Sequence, residues 1–371
     1  MYTYDQFSKK INEILKHKNK SEEFIDKYTN MDIILYGAGH AAEYYVRYLT
    51  QGGCHIIAVI DNGKKMSQFM GYPVYTLEQA HKLLDLKRLP IVISAPSAEK
   101  EIKNSLNGYT ADNNVYCFET ELYVYYGTCF SKYSKFLSDN ISRLYKVYAM
   151  LADETSRIHM MGVLEGRLLG DTSSISKIWD TNQYWPVGLF SFSTDEVMIE
   201  CGTSDGKNLM EFLELVDRKF DHIYCFEPDP LCEDILSRII HENGNGKIEY
   251  IKKGTWDKST TLHFNSDKVD SGLSKVDSSG EINIDVVSLD EYIRDSRVTY
   301  IKMDIEGSEL ATLHGAETII RNQHPKLAIC IYHKDDDIVN IPEYLASINP
   351  EYRFYIRHHN CNMTETVLYA L

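Results

Sequence analysis

Two α/β domains joined by a helical connector are the fold this sequence predicts, and three observations predict it. Short β-branched runs (Ile33 to Tyr36, Ile56 to Ile60, Ile91 to Ser94) alternate with helix-like stretches early in the chain. Between about 128 and 195 that alternation gives way to apolar residues at threes and fours: Phe136, Leu137, Ile141, Leu144, Tyr145 and Tyr148. From Glu196 the alternation resumes with about seven strand-like runs, from Val197-Met198-Ile199 to Thr366-Val367-Leu368-Tyr369.

Taken in order, residues 1–29 carry Phe7, Ile11, Ile14, Phe24 and Ile25 at helical spacing on a charged background and predict a helical lead-in. Residues 30–128 predict the first α/β domain, 129–195 the helical connector and a lid, and 196–371 the second α/β domain. Asn243 to Gly246 and Ser278 to Gly280 read as turns inside that last domain.

Composition bounds the function. The chain has 371 residues, 43% hydrophobic and 25% charged, as in ordinary folded proteins. Its 39 Lys and Arg stand against 54 Asp and Glu, a net charge of −15. Nucleic acid or an anionic membrane as main partner would need a positive field, so neither is expected. No window approaches a membrane span or a signal peptide, and the eight cysteines form no Cys-x-x-Cys pair. A cytoplasmic protein with reduced core thiols and a small-molecule or glycan partner is expected. Monomer and homo-oligomer both remain open.

Two clusters carry chemistry. Gly202-Thr203-Ser204-Asp205-Gly206 follows a strand and precedes a helix-like run, and Glu227 ends the next strand about 20 residues on. Small residues let backbone amides approach a ligand, and an acidic residue so placed accepts ribose hydroxyls. The second cluster lies at two later strand ends: Lys302, Asp304 and Glu306 alternate onto one face, and His333 ends the following strand. His333 is the expected general base, oriented by Asp304. Asp304, Glu306 and His333 as ligands of a divalent ion such as Mg²⁺ are the alternative, and helix capping by Asp304 and Glu306 is the structural one.

Four motifs in this order, Glu-Cys-Gly-Thr-Ser-Asp-Gly at 200–206, Phe-Glu-Pro-Asp-Pro at 226–230, Ile-Lys-Met-Asp-Ile-Glu-Gly-Ser-Glu-Leu at 301–310 and Pro-Lys-Leu-Ala-Ile-Cys-Ile-Tyr-His-Lys at 325–334, resemble the FkbM family of methyltransferases dependent on S-adenosyl-L-methionine (SAM). The resemblance implies a class I, Rossmann-like seven-stranded sheet over 196–371. It also implies methyl transfer to a hydroxyl of a sugar, glycan or sugar-containing natural product, as in polysaccharide biosynthesis. Glu200, where the family more often has Asp, and Gly202 to Gly206 would face the methionine part of SAM. Glu227 and Pro228 would meet the ribose, and Thr255 and Trp256 the adenine. Asp304 and a lid residue, Tyr184 of Gln183-Tyr184-Trp185, would complete the cofactor site.

Nearer the start, Gly37-Ala38-Gly39-His40-Ala41-Ala42 after a strand, with Asp61 ending the next, fits a Gly-x-Gly-x-x-Ala turn and its acidic partner. This stretch resembles the N-terminal Rossmann-like domain of sugar-nucleotide acyltransferases, so Gly37, Gly39 and Asp61 form a candidate nucleotide site. Two further readings stand beside these. One is an NAD-dependent sugar-nucleotide oxidoreductase or epimerase centred on 30–120, which lacks a Tyr-x-x-x-Lys pair. The other is a non-catalytic SAM- or nucleotide-binding scaffold.

Overall fold

The computed structural model describes residues 1–63, 65–120, 130–266 and 274–371. The chain divides into two compact units. The first comprises Met1–Tyr145, Ile158–Trp179 and Asn360–Thr364. Its strands are β1 (Asp32–Tyr36), β2 (His55–Ile60), β3 (Gln68–Phe69), β4 (Tyr72–Tyr75), β5 (Ile91–Ile93) and β6 (Val115–Tyr116). They form one sheet in the order β3-β4-β2-β1-β5-β6, parallel except for the β3–β4 pair. The β-branched residues of β1 bury both faces, as a parallel sheet covered on each side requires. Ile33 and Leu35 pack with Phe24, Tyr45 and Leu49, while Ile34 and Tyr36 pack with Leu77, Ile102 and Leu106.

The second unit comprises Lys146–Arg157, Asp180–His359 and Glu365–Leu371. Five parallel strands come first: β7 (Val197–Cys201), β8 (His222–Phe226), β9 (Ile248–Ile251), and later β14 (Tyr300–Met303) and β15 (Lys326–Cys330). With β16 (Phe354–His358) and β17 (Thr366–Ala370) they form a seven-stranded sheet ordered β16-β17-β15-β14-β7-β8-β9, in which β17 runs antiparallel to both neighbours. Every residue of β7 and β14 is buried. Between β9 and β14 lies a second sheet of four strands, β10 (Gly254–Thr255), β11 (Thr260–Asn265), β12 (Lys275–Val276) and β13 (Ile282–Val287), around Phe264, Ile284 and Val286.

The two units divide the chain differently from the expected segments at two places, and the lead-in is helical. The helices Phe130–Asp139, Ile141–Met150 and Glu154–Leu169 of the expected connector are shared between the units rather than forming a separate piece. Residues 360–364, expected in the second domain, belong to the first unit, where Met363 lies fully buried and would meet a Cβ on Gly166 at 3.0 Å. The lead-in is two helices, Tyr4–Ile14 and Lys20–Tyr28, and the second adds Phe24 and Tyr28 to the sheet's core. Among the described residues the cysteines are free thiols, and Cys129 lies outside them. No helix of the described residues is long and apolar enough to cross a membrane.

Candidate functional site

At the carboxyl ends of β7, β8 and β14 the second unit encloses a cavity of about 300 Å³. Its first wall is the turn after β7. Gly202 sits at φ +81°, and a Cβ there would come within 2.0 Å of the Asp304 carbonyl oxygen, so the turns after β7 and β14 approach as closely as only glycine permits. Ser204, at φ +48°, aims its amide at the Glu227 carboxylate, 2.9 Å away. The other Glu227 oxygen accepts the Asp229 amide at 2.9 Å. Glu227 is 7% exposed, and burial raises its pKa against the pull of these amides. Gly206, at φ +79°, starts the helix Lys207–Leu215; its own place is against Ile239 and Leu236 rather than on the cavity.

Lys302 lines the cavity and ties down the turn. Its Nζ donates to the Gly202 carbonyl at 2.8 Å, lies 3.5 Å from Glu200 and sits 4.9 Å over the Tyr184 ring. Glu200, expected to face the ligand, is fully buried and is not among the residues that line the cavity. It serves as the counter-ion of Lys302, its pKa pushed up to about 7 by burial despite that partner.

The second wall is acidic. Asp304 accepts the Tyr184 hydroxyl at 2.7 Å and the Tyr332 hydroxyl at 3.3 Å. Burial would raise its pKa, but Lys302, His333 and the Tyr184 hydrogen bond together hold it below the usual carboxylate range. Glu365 faces the same cavity from the end of the chain, at φ +65°, with the Gln183 amide donating to one oxygen and the Tyr332 hydroxyl, shared with Asp304, 3.3 Å from the other. Burial, then the Asp304 charge, pushes its pKa up to about 7. Tyr184 is 1% exposed at φ +62°, its amide bonded to the Tyr369 hydroxyl at 3.0 Å and its carbonyl to the Tyr300 hydroxyl at 2.9 Å. A tyrosine held in the left-handed region by bonds on both sides of its peptide is fixed in place as part of this wall.

His333 departs furthest from expectation. Its ring is 1% exposed and absent from the cavity wall. Nδ1 lies 2.8 Å from Glu309, and Nε2 lies 3.4 Å from Asp304 and 3.5 Å from Glu306. Burial alone would lower its pKa, yet Glu309 and Glu306 outweigh that and hold it well above the ordinary value. Both ring nitrogens therefore face carboxylates, Glu309 on one side and Asp304 and Glu306 on the other, and neither is turned to the cavity, where the expected general base would need it.

The same contacts test the metal alternative. Asp304, Glu309 and His333, and separately Asp304, Cys330 and Glu365, bring ligand atoms within 4.8 Å of one another. Yet Asp304 already faces two hydroxyl donors and the His333 ring, and that ring lies between Glu309 and Glu306. The residues fit a hydrogen-bonded network rather than a Mg²⁺ cage. In the turn before the helix Glu309–His314, the Glu309 carboxylate accepts the Ile305 amide at 2.9 Å.

Of the expected residues, Thr203, Asp205, Pro228, Thr255 and Glu306 line the cavity with those already placed. Trp256 does not; it packs on Phe264, Ile284 and Val286 on the small sheet. The apolar floor instead comes from Phe264, Val276, Ile284 and Val286, which sequence reasoning missed as site residues together with Glu309 and Glu365, while Gln183 belongs to the expected lid segment. The alternating β13 run Ile282 to Val287 was the available signal for the floor.

Residues 200–360 match the model of the methyltransferase FkbM domain. Residues 29–115 match the C2185-like N-terminal domain. The structure of methyltransferase FkbM from Methylobacillus flagellatus KT is similar in fold over 99% of this chain and 98% of that one, with a TM-score of 0.79 at 22% identity. An rRNA methylase from Streptococcus thermophilus aligns at a TM-score of 0.32 and 15% identity, covering 48% of this chain and 86% of that one. Fibrillarin from Aeropyrum pernix, with natively bound S-adenosyl-L-methionine, aligns at 0.33 and 10%, covering 50% and 70%. No curated protein matches the sequence.

Proposed function

We propose that this chain transfers a methyl group from SAM to a hydroxyl of a sugar, glycan or sugar-containing small molecule, with its second unit as a class I catalytic domain. The observation that carries this reading is one cavity with two unlike walls. On one side the glycine turn, the Glu227 carboxylate and an apolar floor fit a nucleoside with an amino-acid tail; on the other stand carboxylates and hydroxyls suited to a polyol.

When bound, SAM supplies an electrophilic methyl on a sulfonium. The Glu227 carboxylate binds the ribose diol, and Phe264, Ile284 and Val286 bury the base. Lys302 keeps the turn in place through the Gly202 carbonyl. An alcohol oxygen must lose its proton as the new bond forms, which calls for a base within reach and with a pKa near the working pH. Glu365 meets both conditions: it lines the cavity, and its pKa lies at about 7. Asp304 stays ionised, and Tyr184 holds it in position. The buried His333 neutralises Glu309 and Glu306 and thereby fixes the loop that carries Asp304.

The test begins with the cofactor, because it needs no knowledge of the acceptor. Calorimetric titration of the full chain with S-adenosylhomocysteine (SAH) is expected to show one-to-one binding in the micromolar range, about −8 kcal/mol. Absence of binding would overturn the reading. Methyl transfer from labelled SAM across a panel of free and nucleotide-linked sugars then tests the acceptor class.

A further inference from the structure

The first unit repeats, with different residues, the hydrogen-bond frame that builds the cofactor wall of the second. After β7, the Ser204 amide donates to Glu227 at the end of β8, 2.9 Å away, and the other Glu227 oxygen takes the amide two residues on, Asp229, at 2.9 Å. After β1, the Ala38 amide donates to Asp61 just beyond β2, also at 2.9 Å, and the other Asp61 oxygen takes the amide two residues on, Gly63, at 2.9 Å. The turn's carbonyl is tied down as well. Lys302 of β14 donates to the Gly202 carbonyl at 2.8 Å, and Ser94, following β5, donates to the Gly37 carbonyl at 2.8 Å. In both sheets the first strand lies between the strand that ends at the acidic residue and the strand that supplies the tie: β8-β7-β14 and β2-β1-β5. That is the reversal of strand order at which open α/β sheets bind ligands.

We propose that the first unit holds a second nucleotide-binding site, in which Asp61 receives the 2′ and 3′ hydroxyls of a ribonucleotide against the Gly37–Gly39 turn. A carboxylate already fixed by two amides needs little ordering to accept a diol, and its charge strengthens both bonds. Gly37, at φ +117°, lies close to Ala95, where a Cβ would meet that side chain at 3.0 Å. A Cβ on Gly39 would meet no atom of the described residues within 4 Å, so they leave the turn open on that side. The helix Ala41–Gln51 starts directly behind it, with an end suited to the ligand's phosphates. Asp61 is part-buried, as a group that contacts both the frame and a ligand must be.

The inference does not depend on the acceptor and is tested apart from methyl transfer. The full chain, saturated with SAH, is titrated by calorimetry with ADP, GDP, CDP and UDP, and the best binder is compared with its 2′,3′-dideoxy analogue. One-to-one binding is expected, weakened about tenfold or more by loss of the diol and by Asp61→Asn, as removal of a charge-assisted pair predicts. The dideoxy comparison uses the unaltered protein, so it stands even if the substitution disturbs the turn. Three results would overturn the proposal: no nucleotide binds, the dideoxy analogue binds equally well, or a correctly folded Asp61→Asn chain binds with unchanged affinity.

Discussion

Replacing Glu227 by Gln tests the cofactor wall most directly. The carboxylate is 7% exposed and accepts two amides at 2.9 Å, from Ser204 and Asp229. Glutamine keeps the shape but has one acceptor oxygen, so its NH₂ must face one of these amide donors, and the bond is lost. The unfavourable contact costs the fold about 1 kcal/mol, which for a unit of this size lowers the melting temperature by roughly 2 to 4 °C. For the ligand the loss is larger. A diol hydrogen bond to a charged group is worth about 1.5 to 3 kcal/mol, so the SAH dissociation constant should rise by about one to two decades. Calorimetric titration well below the melting transition measures it, with a thermal melt of the same sample to separate binding from folding. A dissociation constant within about threefold of the unaltered chain, in a folded variant, would refute the ribose assignment.

Glu365→Gln should lower turnover by about 10²- to 10⁴-fold with SAH affinity nearly kept, and should abolish the rise in kcat/KM through pH ~7 that the intact carboxylate gives. The same group has a stability signature. Its folded-state pKa of about 7 exceeds the ordinary 4.5, so its favourable contribution is complete below 4.5 and is lost as pH rises through 7. The Gln variant should therefore melt higher than the unaltered chain at pH 8, and a lower melting temperature there would contradict the assignment. His333→Ala removes the cation between Glu309, Glu306 and Asp304 and should destabilise the chain by about 3 to 5 kcal/mol, read by denaturant unfolding; full stability with lost turnover would instead return the residue to a direct catalytic role. Gly202→Ala places a methyl 2.0 Å from the Asp304 carbonyl and should abolish SAH binding by forcing the two turns apart, checked by calorimetry on the folded fraction. Chelation with EDTA should leave methyl transfer unchanged, since Asp304 is already bonded to Tyr184 and Tyr332; loss of activity restored by Mg²⁺ would reverse that conclusion.

The alternation of apolar runs set the strands of both sheets, because a strand buried on both faces must be continuously apolar and β-branched residues fit its pleat. The glycine turns and their acidic partners were equally legible: a residue that must adopt positive φ beside a crossing backbone can be little else than glycine, and the chain spacing to the next strand's end is short. Gly202 with Glu227 and Gly37 with Asp61 were therefore recoverable from sequence, as were Lys302, Asp304 and Glu306, which leave one strand together. Long-range placement was not legible. Glu365 meets Asp304 only because β17 inserts antiparallel beside β15, and the apolar floor reaches the cavity only because β11, β12 and β13 fold into a separate small sheet. Neither pairing leaves a local mark in the chain. The setting of His333 was decided the same way: its grouping with Asp304 and Glu306 was legible from the strand ends, and only the folded chain buries the ring and brings Glu309 to its other nitrogen.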